Sequence, residues 1–258
     1  MELDSWPHDE ATDAGFERVK LDDGGVWLHA AQPEALGDVD ALSSAQRDVV
    51  EELRSPPARA HRTDHEGWTV WTLRTVWFAD ASASVDVEEL VVTTGPDVVI
   101  TVGKLPATTE RRMFEEQQDP EPSAPSDAAK LVAMVVNGLL DDVGEVMGKL
   151  DDEVEEIEKA VFAPGRDSHA ERIYRLKREV HTVRRCVGPL PELFTPQTTA
   201  SDGSDATENA DVPSDVATRA RRLTEALTQV DELLESVLAA HLARVAIRQN
   251  DDMRRISA

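Results

Sequence analysis

The sequence predicts an α+β protein: an N-terminal mixed α/β domain with a small sheet, then an antiparallel long-helix hairpin and a very long C-terminal stalk helix. Three observations carry this expectation. Runs rich in Val, Thr and Trp, the composition of strands, occur only before about residue 105. From residue 128 onward, apolar residues recur in alternating steps of three and four, the period of helices packed along their length. The last such pattern runs from Ser214 to the final residue with no Gly or Pro to stop it.

Taken in order, GVWLHA (25–30) begins at the Gly24-Gly25 pair and reads as a strand. Leu36, Val39, Leu42, Val49, Val50 and Leu53 give an amphipathic helical pattern, ended by Pro56-Pro57. WTVWTLRTVWF (68–78) follows Gly67 and is a strong strand candidate, its tryptophans reading as core. VDVEELVVTT (85–94) and DVVITV (97–102) are two more strands, with a hairpin turn at Gly95-Pro96. These elements make a domain over 1–116. The polar, Pro-rich stretch at 117–127 reads as a connector.

Helix then dominates. Leu140, Val143, Met147, Leu150, Val154, Ile157 and Val161 form one heptad seam; Ile173, Leu176, Val180, Val183 and Val187 form another. Pro164-Gly165 separates them, so 128–194 is predicted to fold back as an antiparallel pair. TPQTTASDGSDATENADVP (195–213) has the composition of a flexible loop. Ser214 is a suitable N-cap for a third helix over 214–258, with apolar positions Leu223, Leu227, Val230, Leu234, Val237, Leu238, Leu242 and Val245. At ~1.5 Å per residue such a helix is about 65 Å long, beyond an ordinary globular helix.

Composition narrows the function. The 258 residues carry 27 basic and 51 acidic side chains, a formal charge of −24. That balance argues against general nucleic-acid binding. It fits either a solubilising surface or a surface that attracts divalent cations, whose preferred ligands are oxygens. Cys186 is the single cysteine, so no internal disulfide forms; it reads as a packed residue in a reducing compartment. The acidic N-terminus has no signal-peptide pattern, and no run approaches the ~20 apolar residues of a membrane span. The seven histidines form no tight ligand cluster, although His61 and His65 are four apart. No phosphate loop, nucleophile elbow, HExxH or CxxC is present, so the chain is not expected to be an enzyme.

Three stretches together, KLDDEVEEIEKAVFAP (149–164), ERIYRLKREVHTVRRCVGPL (171–190) and RVAIRQNDDMRRISA (244–258), resemble the CorA family of divalent-cation channels and transporters. Ile173, Tyr174, Leu176, Lys177, Arg178, Glu179, Arg184, Arg185, Pro189 and Leu190 carry the likeness in the middle stretch; Asn250, Met253 and Ser257 carry it in the last. The likeness extends over residues 60–258 and is looser before the last helices. A family HP…ED helix and RPK segment have no counterpart in SSAQRDVVEELRSPPARAHRTDHEGW, and the 195–213 loop is longer and more polar than the family's.

The resemblance implies the cytoplasmic domain of a homopentameric membrane protein, with the missing C-terminal helices forming the pore. Arg244, Arg248, Arg254 and Arg255 would then be a cytoplasmic flank. It also implies Mg²⁺ held between neighbouring subunits, by a carboxylate at the start of the stalk helix and one at the end of a long strand. Asp215 and Asp80 match these two places. Mg²⁺ keeps most of its water and is often bound through one or two carboxylates. Losing it would leave like charges facing each other and shift the assembly toward an open state. Co²⁺, Ni²⁺ and Zn²⁺ are the other ions to consider. The acidic stretch Asp141, Asp142, Glu145, Asp151, Asp152, Glu153, Glu155, Glu156 and Glu158 reads as a cation-concentrating surface or a solvated helix face. Two alternatives stand beside this reading: a zinc transporter of the same superfamily, and a soluble coiled-coil interaction protein.

Overall fold

The sheet is organised around one long hairpin. In the computed structural model, which describes residues 16–21, 24–32, 60–65, 67–95, 98–110, 128–163, 169–194 and 214–257, β4 (Trp68–Ala79) and β5 (Ser84–Gly95) pair antiparallel over their whole length, Thr69 opposite Thr94 and Ala79 opposite Ser84. β6 (Val98–Gly103) returns antiparallel beside β5, with Val98 opposite Gly95. β2 (Val26–Ala30) joins β6 in parallel. The edges are β1 (Phe16–Lys20), beside β2, and β3 (His61–His65), beside β4. The six-stranded order is β1-β2-β6-β5-β4-β3.

Both faces of this sheet are buried. Val26, Leu28 and Ala30 of β2, Val91 of β5 and Val98, Ile100 and Val102 of β6 face one side; Trp27, Leu90, Val92 and Val99 face the other. Side chains alternate across a strand, and burial on both faces explains why VVITV reads as an unbroken apolar run. The parallel β2–β6 contact is fixed by polar groups: Trp27 Nε1 donates to Thr101 Oγ1 at 2.8 Å, and His29 Nδ1 lies 3.0 Å from the same hydroxyl. In the β4–β5 ribbon, odd-numbered Trp71 and Leu73 and even-numbered Val76 and Phe78 all reach the larger cluster. A long two-stranded ribbon twists strongly, so its two faces meet the helices in turn.

The helices complete the larger core. α1 (Ala128–Phe162) and α2 (Ala170–Val187) form the predicted antiparallel pair. A single turn, α3 (Leu190–Leu193), leads toward α4 (Ser214–Ile256). The start of α1 is buried almost all round, at Leu131, Val132, Val135, Val136, Leu139 and Leu140, because the β4–β5 ribbon and α4 both pack on it. From Met147 onward it buries only the heptad positions Met147, Leu150, Val154, Ile157 and Val161. Truncating one such buried Leu or Ile to Ala costs about 2–5 kcal/mol. Every seam residue predicted for α1 and α2 is buried. The helical pattern expected over 36–53, the Gly95-Pro96 turn and the 195–213 loop lie wholly or partly outside the described residues.

α4 corrects one expectation. Its seam runs through Ala220, Leu223, Leu227, Val230, Leu234 and Val237, and then continues through His241, not Leu242, with Arg244 and Val245 both half-buried beyond it. His241 is 3% exposed, whereas Leu242 is 54% exposed. The alternating steps of three and four are kept, and residue chemistry is sacrificed, because the helix cannot rotate mid-course to follow the leucine.

Candidate functional site

The β4–β5 hairpin places Asp80. Ala79 ends the strand, and Asp80 is the first residue of an exposed four-residue turn. The turn is closed by Ser82 N–H donating to Ala79 O at 3.1 Å, and Ala83 takes a positive φ of 46°. Among the described residues, Asp80 pairs with Lys149 on α1, Nζ to Oδ1 3.4 Å, with the Asp80 side chain 78% and the Lys149 side chain 55% exposed. Such surface pairs contribute about 0–1 kcal/mol, so the carboxylate is weakly held and open to a competing cation.

Asp215 lies in the first turn of α4; its side chain is outside the described part. One turn further, Arg219 reaches α1, donating to Asn137 Oδ1 at 3.4 Å and pairing with Asp141. At the other end, Arg244 of α4 donates to the carbonyls of Val161 and Ala163, the latter at 3.2 Å. α4 therefore runs parallel to α1. The start of α4 sits beside 137–141, while Asp80 sits at Lys149, so the two positions lie at different levels along α1 within one chain. Among the described residues, no three His, Cys, Asp or Glu side chains are grouped to hold a metal ion.

Much of the acidic stretch on α1 turns out to be structural. Arg172 of α2 donates to Glu153 and Glu156, both at 2.8 Å. Lys159 pairs with Glu155 at 3.1 Å, and Asp141 is taken by Arg219. Asp151 has its carboxyl pushed up, by burial first and then by Asp152 and Glu155. Asp142 is 9% exposed. Its Oδ2 accepts from Ala107 N–H at 3.0 Å, capping the helical turn at 107–110, while Oδ1 has no hydrogen-bond partner among the described residues. Burial pushes its pKa up to about 6, reinforced by Glu145 and Asp141 and opposed by the Ala107 bond and Lys104. The chain crosses α1 so closely here that Gly138 leaves no room for a Cβ against Thr108 and Thr109.

Further polar contacts lock the helices. Glu179 of α2 accepts from Val85 N–H at 3.0 Å, fixing α2 to the start of β5. Lys177 pairs with Asp231 at 2.8 Å and Glu235 at 3.2 Å. Burial alone would lower the Lys177 pKa, but bonds to these two carboxylates leave it raised. Cys186 is buried with its thiol pushed up to about 11, chiefly by burial, so it is packed and unreactive, as expected. Arg244, read from the sequence as part of a cytoplasmic flank, caps the C-terminal carbonyls of α1, where a cation also meets the negative end of the helix dipole. Arg254 and Arg255 are exposed on the last turn.

A mixed sheet braced by an antiparallel helix pair, with a third helix running past its end, defines the class: an α+β protein with a long C-terminal helix. The chain belongs to the CorA-like Mg²⁺ transporter protein family, whose pattern it matches over residues 22–258. The match extends well before residue 60. No curated protein sequence matches the chain. Among solved structures, full-length CmaX is similar at 22% identity with a TM-score of 0.73, covering 92% of this chain and 73% of that one. The complete CorA magnesium transporter from Methanocaldococcus jannaschii gives 14% and 0.71, covering 94% and 75%. The ZntB cytoplasmic domain from Vibrio parahaemolyticus gives 16% and 0.56, covering 89% and 88%. At these identities the likenesses show the fold alone. Among the described residues no helix is long and apolar enough to cross a membrane.

Proposed function

We propose that this chain is the cytoplasmic regulatory and stalk portion of a CorA-like magnesium (cobalt) channel that works as a homopentamer, attached to the membrane through helices beyond the stalk. In this reading Asp80 of one subunit and Asp215 of the next hold a hydrated Mg²⁺ and report its cytoplasmic concentration to the pore. Bound Mg²⁺ favours the closed assembly by its differential affinity for it, and its loss lets facing carboxylates repel. The observation that supports this most directly is Asp80. It stands on a turn tip, exposed and weakly paired with Lys149, where a neighbouring subunit can reach it. The end of β4 and the start of α4 lie at different levels of α1 in one chain, which suits a site shared between chains and not one within a chain.

A zinc-transporting member of the superfamily is the rival reading, and the likeness to the ZntB domain supports it. The described histidines count against it. His169 and His241 come together, but their surroundings include Arg244 and Arg248, which repel a dication. Calorimetric titration with Mg²⁺ and with Zn²⁺ separates the two. The proposal expects millimolar-range Mg²⁺ binding that Asp80→Asn and Asp215→Asn each abolish. Tight Zn²⁺ binding with no Mg²⁺ heat favours the rival, and Mg²⁺ binding unchanged in both variants removes these residues from the site.

A further inference from the structure

Where α4 leaves the bundle, its seam is closed by a polar side chain. His241 is buried, and its ring meets that of His169, just before α2, edge-on with centroids 5.8 Å apart. The groups facing it are mostly positive or neutral. α4 contributes Arg244 and Arg248, and α2 contributes His169 together with the positive end of its helix dipole. From α1, among the described residues, come the Val161 and Ala163 carbonyls, and Arg244 already occupies both. Arg248 folds back along α4, its Nε donating to Arg244 O at 3.3 Å. No carboxylate is among the described groups acting on the ring. Past this point α4 is mostly exposed, with Leu242, Ile247, Met253 and Ile256 facing solvent.

We propose that His241 makes the C-terminal part of α4 a proton-responsive latch. Neutral, it closes the seam against His169 and keeps Arg244 on the end of α1. Protonated, it adds a buried charge among cations, and the stretch from Leu238 to Ile256 detaches from the α1–α2 hairpin. Burial, then His169, Arg248 and Arg244 in that order, hold the imidazole below its ordinary pKa of 6.5. An opened state therefore binds the proton better than the closed one. Acidification below about pH 6.5 favours opening, by up to tenfold per pH unit until the closed-state pKa is reached. Elsewhere the sign is opposite: protonating Asp142 relieves a buried charge, so the same acidification strengthens the sheet-to-α1 junction.

Hydrogen exchange of the full chain, read by mass spectrometry from pH 8 to pH 5.5 and corrected for intrinsic rates, tests the latch. The expected result is faster opening confined to 238–250 and the end of α1, growing severalfold to tenfold per pH unit in the window. The first half of α4 should be unchanged. In His241→Leu the opening should lose its pH dependence. His169→Gln, a change at a less buried site, should narrow the window. Opening independent of pH in the wild type, pH dependence retained in His241→Leu, or a uniform loss of protection across the chain each overturns the proposal. An NMR titration of His241 in the unmodified chain gives a second reading: a pKa at or above 6.5 overturns it as well.

Discussion

Asp142→Asn should make this protein more stable at neutral pH, although it removes a charge from an acid-rich helix. In the wild type, Asp142 is buried, with one oxygen bonded to Ala107 N–H and the other without a partner among the described residues. Its pKa rises from 3.8 to about 6. The folded state thus binds this proton more tightly than the unfolded state, and stability falls as pH rises from about 4 to about 6. A shift of about two units at 1.36 kcal/mol each is worth roughly 3 kcal/mol, an upper figure for a single buried carboxyl. Asparagine keeps the acceptor for Ala107 and never ionises. Urea unfolding followed by circular dichroism, at pH 4.5, 6 and 8, measures the difference. Asn should be more stable than wild type by about 1–3 kcal/mol at pH 8, with the gap shrinking toward zero near pH 4. A variant that is equal or weaker at pH 8, or a gap that does not change with pH, would refute the reasoning.

Three smaller predictions follow from the same physics. Ala83 holds a φ of 46°; left-handed geometry costs an L-residue about 1–2 kcal/mol, and glycine returns about 0.4–1 of it through the unfolded chain. Ala83→Gly should therefore raise stability by roughly 0.5–1 kcal/mol in thermal melts. Gly138→Ala should lower the urea midpoint, because overpacking against Thr108 and Thr109 costs about 1–3 kcal/mol and exceeds the ~1 kcal/mol gain in helix propensity. Cys186, with its thiol at about 11, should resist a disulfide reagent at pH 8 in the native protein and react once urea unfolds it.

What the sequence made legible was what periodicity encodes. The heptads of α1 and α2 and the Trp/Val/Thr runs of β2, β4, β5 and β6 declare themselves, because burial selects one face or both. β1 and β3 were missed. FERVK and HRTDH are short and charged, and they are the two edges of the sheet; edge strands are kept polar to discourage further pairing, which removes the signal that would reveal them. The path of the α4 seam through His241 was hidden because hydrophobicity pointed to Leu242 while helix geometry required residue 241. The bonds that turn α1's acids into structure, Arg172 with Glu153 and Glu156 and Arg219 with Asp141, join residues far apart in sequence. Their only trace in the sequence is the presence of arginines among so many carboxylates.

The central claim is that Mg²⁺ between Asp80 and Asp215 of neighbouring chains stabilises the assembly. Light scattering of the purified chain, in several millimolar Mg²⁺ and in excess EDTA, tests it most directly. The account predicts a pentameric mass with Mg²⁺, a smaller mass with EDTA, and the smaller mass under both conditions for Asp215→Ala. A mass that ignores Mg²⁺, or a wild type and an Asp215→Ala variant that respond alike, would contradict it.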